Sequence, residues 1–229
     1  ALGAQAVIVI AVCNTKGGVG KTTLTASLAV RAAKESKRVA LVDLDPQASL
    51  TAWFERRGAP ENPRVLRDVD TASEAVERLE LTGWDWVFID TPPAFLQLLQ
   101  DAIAAADFVV VPMKPSALDV AASQEAVVMA REEDKPHLVV LNDVEPRWKE
   151  TQKTRAYLEE SDVPVAQTAI AHRSSHVAGM TVGKSAAELN KGKDEKAAEE
   201  IEGLWQEIKA GAKKAVKAKA KAGKVAAND

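Results

Sequence analysis

The stretch CNTKGGVGKTTL, Cys13 to Leu24, follows the apolar run AVIVIAV (Ala6–Val12) and precedes a segment of helical period. It matches most of the pattern G-x-x-x-x-G-K-[ST], ending in Gly20-Lys21-Thr22, with Thr15 where the pattern has its first glycine. Physically such a loop is an anion receptor. Gly17, Gly18 and Gly20 let the backbone turn so that successive N–H groups converge, and the helix that follows adds the positive end of its dipole. Lys21 is positioned to reach the β and γ phosphates of a nucleotide, and Thr22 to put its hydroxyl on magnesium. A second lysine, Lys16, stands in the same turn, where the ordinary pattern needs none.

A buried strand, a phosphate loop and a helix open a doubly wound sheet, and the remaining chain fits that start. Apolar, β-branched runs recur at Val7–Val12, Arg38–Val42, Trp86–Ile89, Phe108–Val111 and Leu138–Leu141, with a weaker one at Val163–Ala166. Their near-continuous hydrophobicity is that of strands covered on both faces. Helix-period segments lie between them: Thr22–Glu35, Ala94–Ala105, Leu118–Arg131 and Lys149–Glu160. The alternation predicts an α/β fold, a doubly wound, mostly parallel sheet flanked by helices. Gly58, Pro60 and Pro63 mark residues 56–73 as a surface loop, with RVLRDV (64–69) as a short peripheral strand. Lys184 to Lys196 reads as a loop or frayed helix. Ile201, Leu204, Trp205, Ile208 and Ala212 repeat at helical spacing and predict a terminal helix docked by its apolar stripe. Beyond it the chain is low-complexity lysine and alanine, with helix propensity but almost nothing to bury, so the expectation is one domain over residues 1–208 and a basic tail over 209–229 that is disordered or transiently helical until it meets a partner.

The net charge of −3 hides an asymmetry. Seven of the 30 basic residues fall from Lys209 onward against one acid, Asp229, so the tail carries +6 and the remainder −9. An acidic body with a basic tail points either to a polyanionic partner or to a solvated solubility segment. The single cysteine, Cys13, excludes an intramolecular disulfide framework and favours a reducing cytoplasm. No run approaches the roughly 20 apolar residues of a membrane span. The tail offers only alanine and two valines where membrane-surface helices present Leu, Phe or Trp, so no membrane partner is expected.

A triphosphate site also needs carboxylates, at the carboxyl ends of neighbouring strands. VALVDLDPQ supplies Asp43 and Asp45, and WVFIDTPP supplies Asp90. Together KGGVGKTT, LVDLDPQ and VFIDTPP, in that order, resemble the ParA-type ATPases. These are a branch of the deviant P-loop (deviant Walker A) family that also holds the Min-system ATPase and the nitrogenase iron protein. The resemblance covers roughly residues 7–208. VVVPMKPSALDVAA (109–122) and QTAIAHRSSHVAGM (167–180) are most similar to small plasmid-type members without an N-terminal DNA-binding domain.

The resemblance implies a role for each matched residue. Lys16 is the signature lysine, which crosses an ATP-sandwiched homodimer to the phosphates of the other subunit. Lys21 is the lysine that serves its own subunit. Gly17, Gly18, Val19 and Gly20 cradle the phosphates, Thr22 binds Mg2+ and Thr23 contacts phosphate. Asp45 orients the attacking water, Asp43 supports the magnesium, and Asp90 holds it through water while anchoring the switch segment Thr91-Pro92-Pro93. Asn142 corresponds to an adenine-contacting position, although it serves equally as a turn residue ending a strand. Pro112–Asp119 lines the base and the dimer seam. The implied activity is slow, partner-stimulated hydrolysis of ATP to ADP and phosphate by a cytoplasmic, nucleoid-associated protein. It would bind DNA non-specifically and position a cargo through a centromere-binding or other adaptor protein. The basic tail, or Arg147, Lys149, Lys153, Arg155, Arg173 and Lys184, would meet the DNA. Rival readings are a Min-like spatial regulator, a biosynthetic or metal-delivery ATPase, and a nucleotide-gated DNA-binding module with negligible turnover.

Overall fold

The computed structural model describes residues 7–35, 38–145, 149–189 and 194–226. Arg147 and the side chain of Lys224 lie outside the described residues. The strands are β1 (Ile8–Val12), β2 (Val39–Asp43), β3 (Arg64–Leu66), β4 (Trp86–Asp90), β5 (Phe108–Met113), β6 (His137–Val144) and β7 (Ile170–Ala171). All pair in parallel, in the order β3-β2-β4-β1-β5-β6-β7. The helices are α1 (Lys21–Glu35), α2 (Ser49–Arg56), α3 (Ala72–Glu80), α4 (Leu96–Ala105), α5 (Ala117–Glu132), α6 (Lys149–Glu160), α7 (Ser174–Thr181) and α8 (Glu195–Ala226).

The period of two along β1 divides the core into two layers. Ile8, Ile10 and Val12 face α1, α2 and α8, whereas Val9 and Ala11, with Cys13 beyond the strand, face α3, α4, α5 and α6. Both layers exclude water, so every residue of β1, β4 and β5 is buried. Trp205 of α8 anchors the first layer. Its ring meets Trp86 edge-on at 4.8 Å and lies 6.0 Å from Phe88.

Three sequence expectations need correction. Val163–Ala166 is not a strand; Val165 makes one isolated bridge to Val139, and the seventh strand is Ile170–Ala171. Helix α4 begins at Leu96 rather than Ala94, because Ala94 turns with a φ of 59° and its N–H bonds to the carbonyl of Thr15. The tail, expected to be disordered or only transiently helical, is helical as far as Ala226 and continuous with α8. Alanine and lysine favour a helix that is already nucleated, and tertiary contacts carry it past residue 208. Gly211 lets the helix close on the Phe108 ring, where an added Cβ would stand 2.6 Å from a ring carbon. Ala212 is buried, Val216 packs on the core and Lys219 pairs with Asp107 at 3.4 Å.

Candidate active site

Parallel register brings the strand ends level. The Cα of Asp90 pairs with that of Val12 on one side and that of Asp43 on the other. The loop that leaves β1 therefore turns beside both aspartates. Gly18 (φ 72°) and Gly20 (φ 92°) adopt the left-handed conformation this turn requires. Gly20 also has no room for a side chain, since a Cβ would meet the Asn142 amide at 2.2 Å. Lys21 opens α1 and is buried, and its ammonium donates to the carbonyl of Lys16 at 2.9 Å. Burial lowers its pKa, and Asp90 and Asp45 offset part of that effect. Gly17, Thr22, Thr23 and Asp45 line a cleft of about 640 Å³ over this turn.

The carboxylates differ in how they are satisfied. Asp43 is partly buried and accepts the Thr51 N–H at 2.8 Å and the Thr51 hydroxyl at 2.9 Å. Burial still raises its pKa. Asp45 lies outward in the cleft and accepts the Gln47 N–H at 2.9 Å. Asp90 is wholly buried, and neither of its oxygens has a hydrogen-bond partner. Burial pushes its pKa up to about 7; the nearby Thr22 hydroxyl and Lys21 pull it down without satisfying it, and Asp43 adds to the rise.

An orphaned carboxylate beside a hydroxyl is the chemistry of a cation site. Among the described residues no group of three or more His, Cys, Asp or Glu side chains could hold a metal by itself. Magnesium takes one or two protein oxygens and completes its shell with water and substrate phosphates. Thr22, Asp43 and Asp90 are the side chains that would hold it.

Lys16 sits apart from this cluster. Its ammonium forms an ion pair with Asp119 of α5, and its N–H donates to Asn14 Oδ1 at 2.8 Å. Asn14 is fully buried and donates to the Pro112 carbonyl and the Ser123 hydroxyl, both at 2.7 Å. No sequence signal singled out Asn14 or Ser123. Asp119 falls within a segment assigned to the dimer seam, and the S-x-x-D spacing from Ser116 is a readable helix cap. Cys13 is buried, with its thiol pushed up to about 12 by desolvation, so it is chemically inert.

On the far side of the loop lies a smaller cavity of about 190 Å³, lined by Gly18, Val19, Asn142, His172 and His176 among others. The Asn142 amide donates to the Val19 carbonyl at 2.7 Å, which braces the phosphate loop. Val177 borders both this cavity and the larger cleft, so the two are neighbours along one groove. Of the dispersed basic set, Arg173 is bound to Glu200 at 2.5 Å and Lys153 to Glu150 at 3.0 Å.

Residues 10–209 match the family described as the CobQ/CobB/MinD/ParA nucleotide binding domain. The chain is 30% identical over 207 residues to maintenance of carboxysome distribution protein A of Halothiobacillus neapolitanus, covering 87% of this chain and 95% of that protein. It is 30% identical over 185 residues to protein ParA of Rhizobium radiobacter, covering 76% and 83%. Among solved structures, Aquifex aeolicus MinD superposes with a TM-score of 0.70 at 20% identity, over 89% of this chain and 97% of that one. A McdA variant of Cyanothece in complex with ATP gives 0.72 at 18% identity, over 93% and 97%. These two likenesses establish the fold. No described helix is long and apolar enough to cross a membrane. By the family match over residues 10–209 and the identity to these relatives, this chain belongs to the CobQ/CobB/MinD/ParA family of nucleotide-binding ATPases.

Proposed function

We propose that this protein is a Mg-dependent ATPase that dimerises around ATP, binds DNA non-specifically and positions a cargo through slow, partner-stimulated hydrolysis. The observation that carries the reading is Asp90, a buried carboxylate with both oxygens unpartnered, between Lys21, Thr22 and Asp43 at the end of a phosphate loop. Bound magnesium would compensate the charge of the β and γ phosphates. Lys21 and the loop N–H groups hold the phosphates in position, and Asp45 orients the attacking water. Lys16 of the opposite subunit supplies the second cation that stabilises the transferring phosphoryl group. A lone carboxylate polarising water is a modest catalyst, which suits a timer. Dimerisation, the cytoplasmic and nucleoid location, and the centromere-binding or other adaptor belong to this proposal. Relatives named for carboxysome distribution and for chromosome partitioning support positioning as the task.

For DNA the outer half of α8 is the favoured surface. Lys213, Lys214, Lys217 and Lys221 are exposed and have no ion-pair partner among the described residues. At about 100° per residue they share an arc of roughly 100° on the helix. Such a stripe neutralises phosphates without reading sequence. The test is ATP turnover with and without DNA, beside DNA binding with and without ATP. Turnover that DNA and nucleotide leave uncoupled, or none under any condition, would overturn the reading.

A further inference from the structure

Lys16 has two ties to the first turns of α5, and they differ in strength. Its backbone is held through Asn14 and Ser123, both fully buried, and Ser123 donates to the Asp119 carbonyl at 2.7 Å. Its side chain is held by an ion pair to Asp119, the one salt bridge it makes among the described residues, with the lysine 37% exposed and the aspartate side chain 11% exposed. Asp119 is itself fixed in place. It accepts the Ser116 hydroxyl, and its N–H donates back to that oxygen at 3.2 Å, closing the cap of α5. The Lys16 ammonium is thus held by a preorganised carboxylate of its own chain.

Resting on the dimerising-ATPase reading above, we propose that Asp119 is a positioning residue that parks Lys16 in cis and sets the threshold for dimer formation. To reach the phosphates of a partner, Lys16 has to leave Asp119. Its departure takes the ammonium from a mostly buried carboxylate, which keeps the Ser116 hydroxyl and the charge of Lys114. A triphosphate, with several charges and more acceptor oxygens, outcompetes one carboxylate; an empty partner site offers nothing to compete. The latch therefore makes association depend on nucleotide in the facing subunit. The backbone tie through Asn14 survives the switch, so the lysine swings on a fixed root.

A half-exposed pair holds its lysine roughly two- to fivefold. A symmetric dimer breaks two such pairs, so the single-site factor enters squared. Asp119→Asn, which keeps the shape and an acceptor for Ser116, should tighten the ATP-dependent dimer about tenfold in sedimentation at low salt. Asp119→Glu, which restores the charge, should return most of the wild-type threshold. Screening weakens the latch in the wild type only, so the affinity ratio of Asn variant to wild type should fall towards one as salt rises to about 0.5 M. A purely structural role for Asp119 would leave that ratio flat. If the wild type dimerises with ATP and Asp119→Asn dimerises equally or less well, the latch is overturned while the ATPase reading stands. If neither protein dimerises with ATP, both fail. Thermal melts of each variant establish that any loss of association is not loss of fold.

Discussion

The carboxyl ends of β1, β2 and β4 and the outer half of α8 both carry dense charge, and they use it in opposite ways. At the strand ends each charge is singular: Lys21 and Asp90 are buried, and the two carboxylate oxygens of Asp90 are unpartnered. On the outer half of α8, Lys213, Lys214, Lys217 and Lys221 are exposed alike and have no ion-pair partner among the described residues. A buried charge acts through its position, and its loss leaves its neighbours unsatisfied. An exposed one acts through number, adding a small, salt-dependent increment. The comparison separates an all-or-none switch from a graded adhesive within one chain.

The strongest way to break this contrast is at Lys21. Replacement by alanine should weaken ATP binding about a thousandfold in calorimetry, because a buried charged donor has no substitute nearby. Asp45→Ala should leave ATP binding near wild type and slow hydrolysis about a hundredfold, holding the ATP form on DNA in a co-sedimentation assay. Asp90 sharpens the comparison through stability. The folded protein retains its proton up to about pH 7, whereas the unfolded chain releases it near pH 4. The folded state therefore binds more protons in that window, and the associated stability, complete below about pH 4, is lost as pH rises through 7. Asparagine mimics the protonated form. Without nucleotide, Asp90→Asn should match the wild type near pH 4 and exceed it by about 4 kcal/mol at pH 8 in urea melts. The smallest effects belong to α8, where each of Lys213, Lys214, Lys217 and Lys221 changed to alanine should weaken DNA binding only about two- to threefold. Each should also lower the salt slope by about one. A single α8 lysine whose loss abolished binding would erase the distinction.

Most of the strands and the phosphate loop could be read from the sequence, because buried parallel strands and glycine-lysine turns leave strong local patterns. Asp43 and Asp90 were legible for the same reason, as charges ending apolar runs. What escaped was short or non-local. Helix α3, capped where Thr71 accepts the Glu74 N–H at 3.2 Å, carries a T-x-x-E signal that a proline-rich approach obscures. Helices α2 and α7 span eight residues each, too short for their period to stand out. The Asn14–Ser123 contact joins positions 109 residues apart, and neither residue is unusual alone. The tail was misjudged because composition argued for disorder, while the contact that orders it, Gly211 against Phe108, is tertiary.

That contact makes α8 a splint for the basic end of the chain. Ala212 is the last residue of α8 with a fully buried side chain among those described, and Lys221 lies about nine residues further on. At 1.5 Å per residue this is about 14 Å of further helix, with Val216 on the core and Lys219 on Asp107 along the way. A slack tail would fold back on the acidic body and spend its charge there. A stiff one ties Lys209 and Lys219 to Glu35 and Asp107 and leaves Lys213, Lys214, Lys217 and Lys221 available to a surface passing outside.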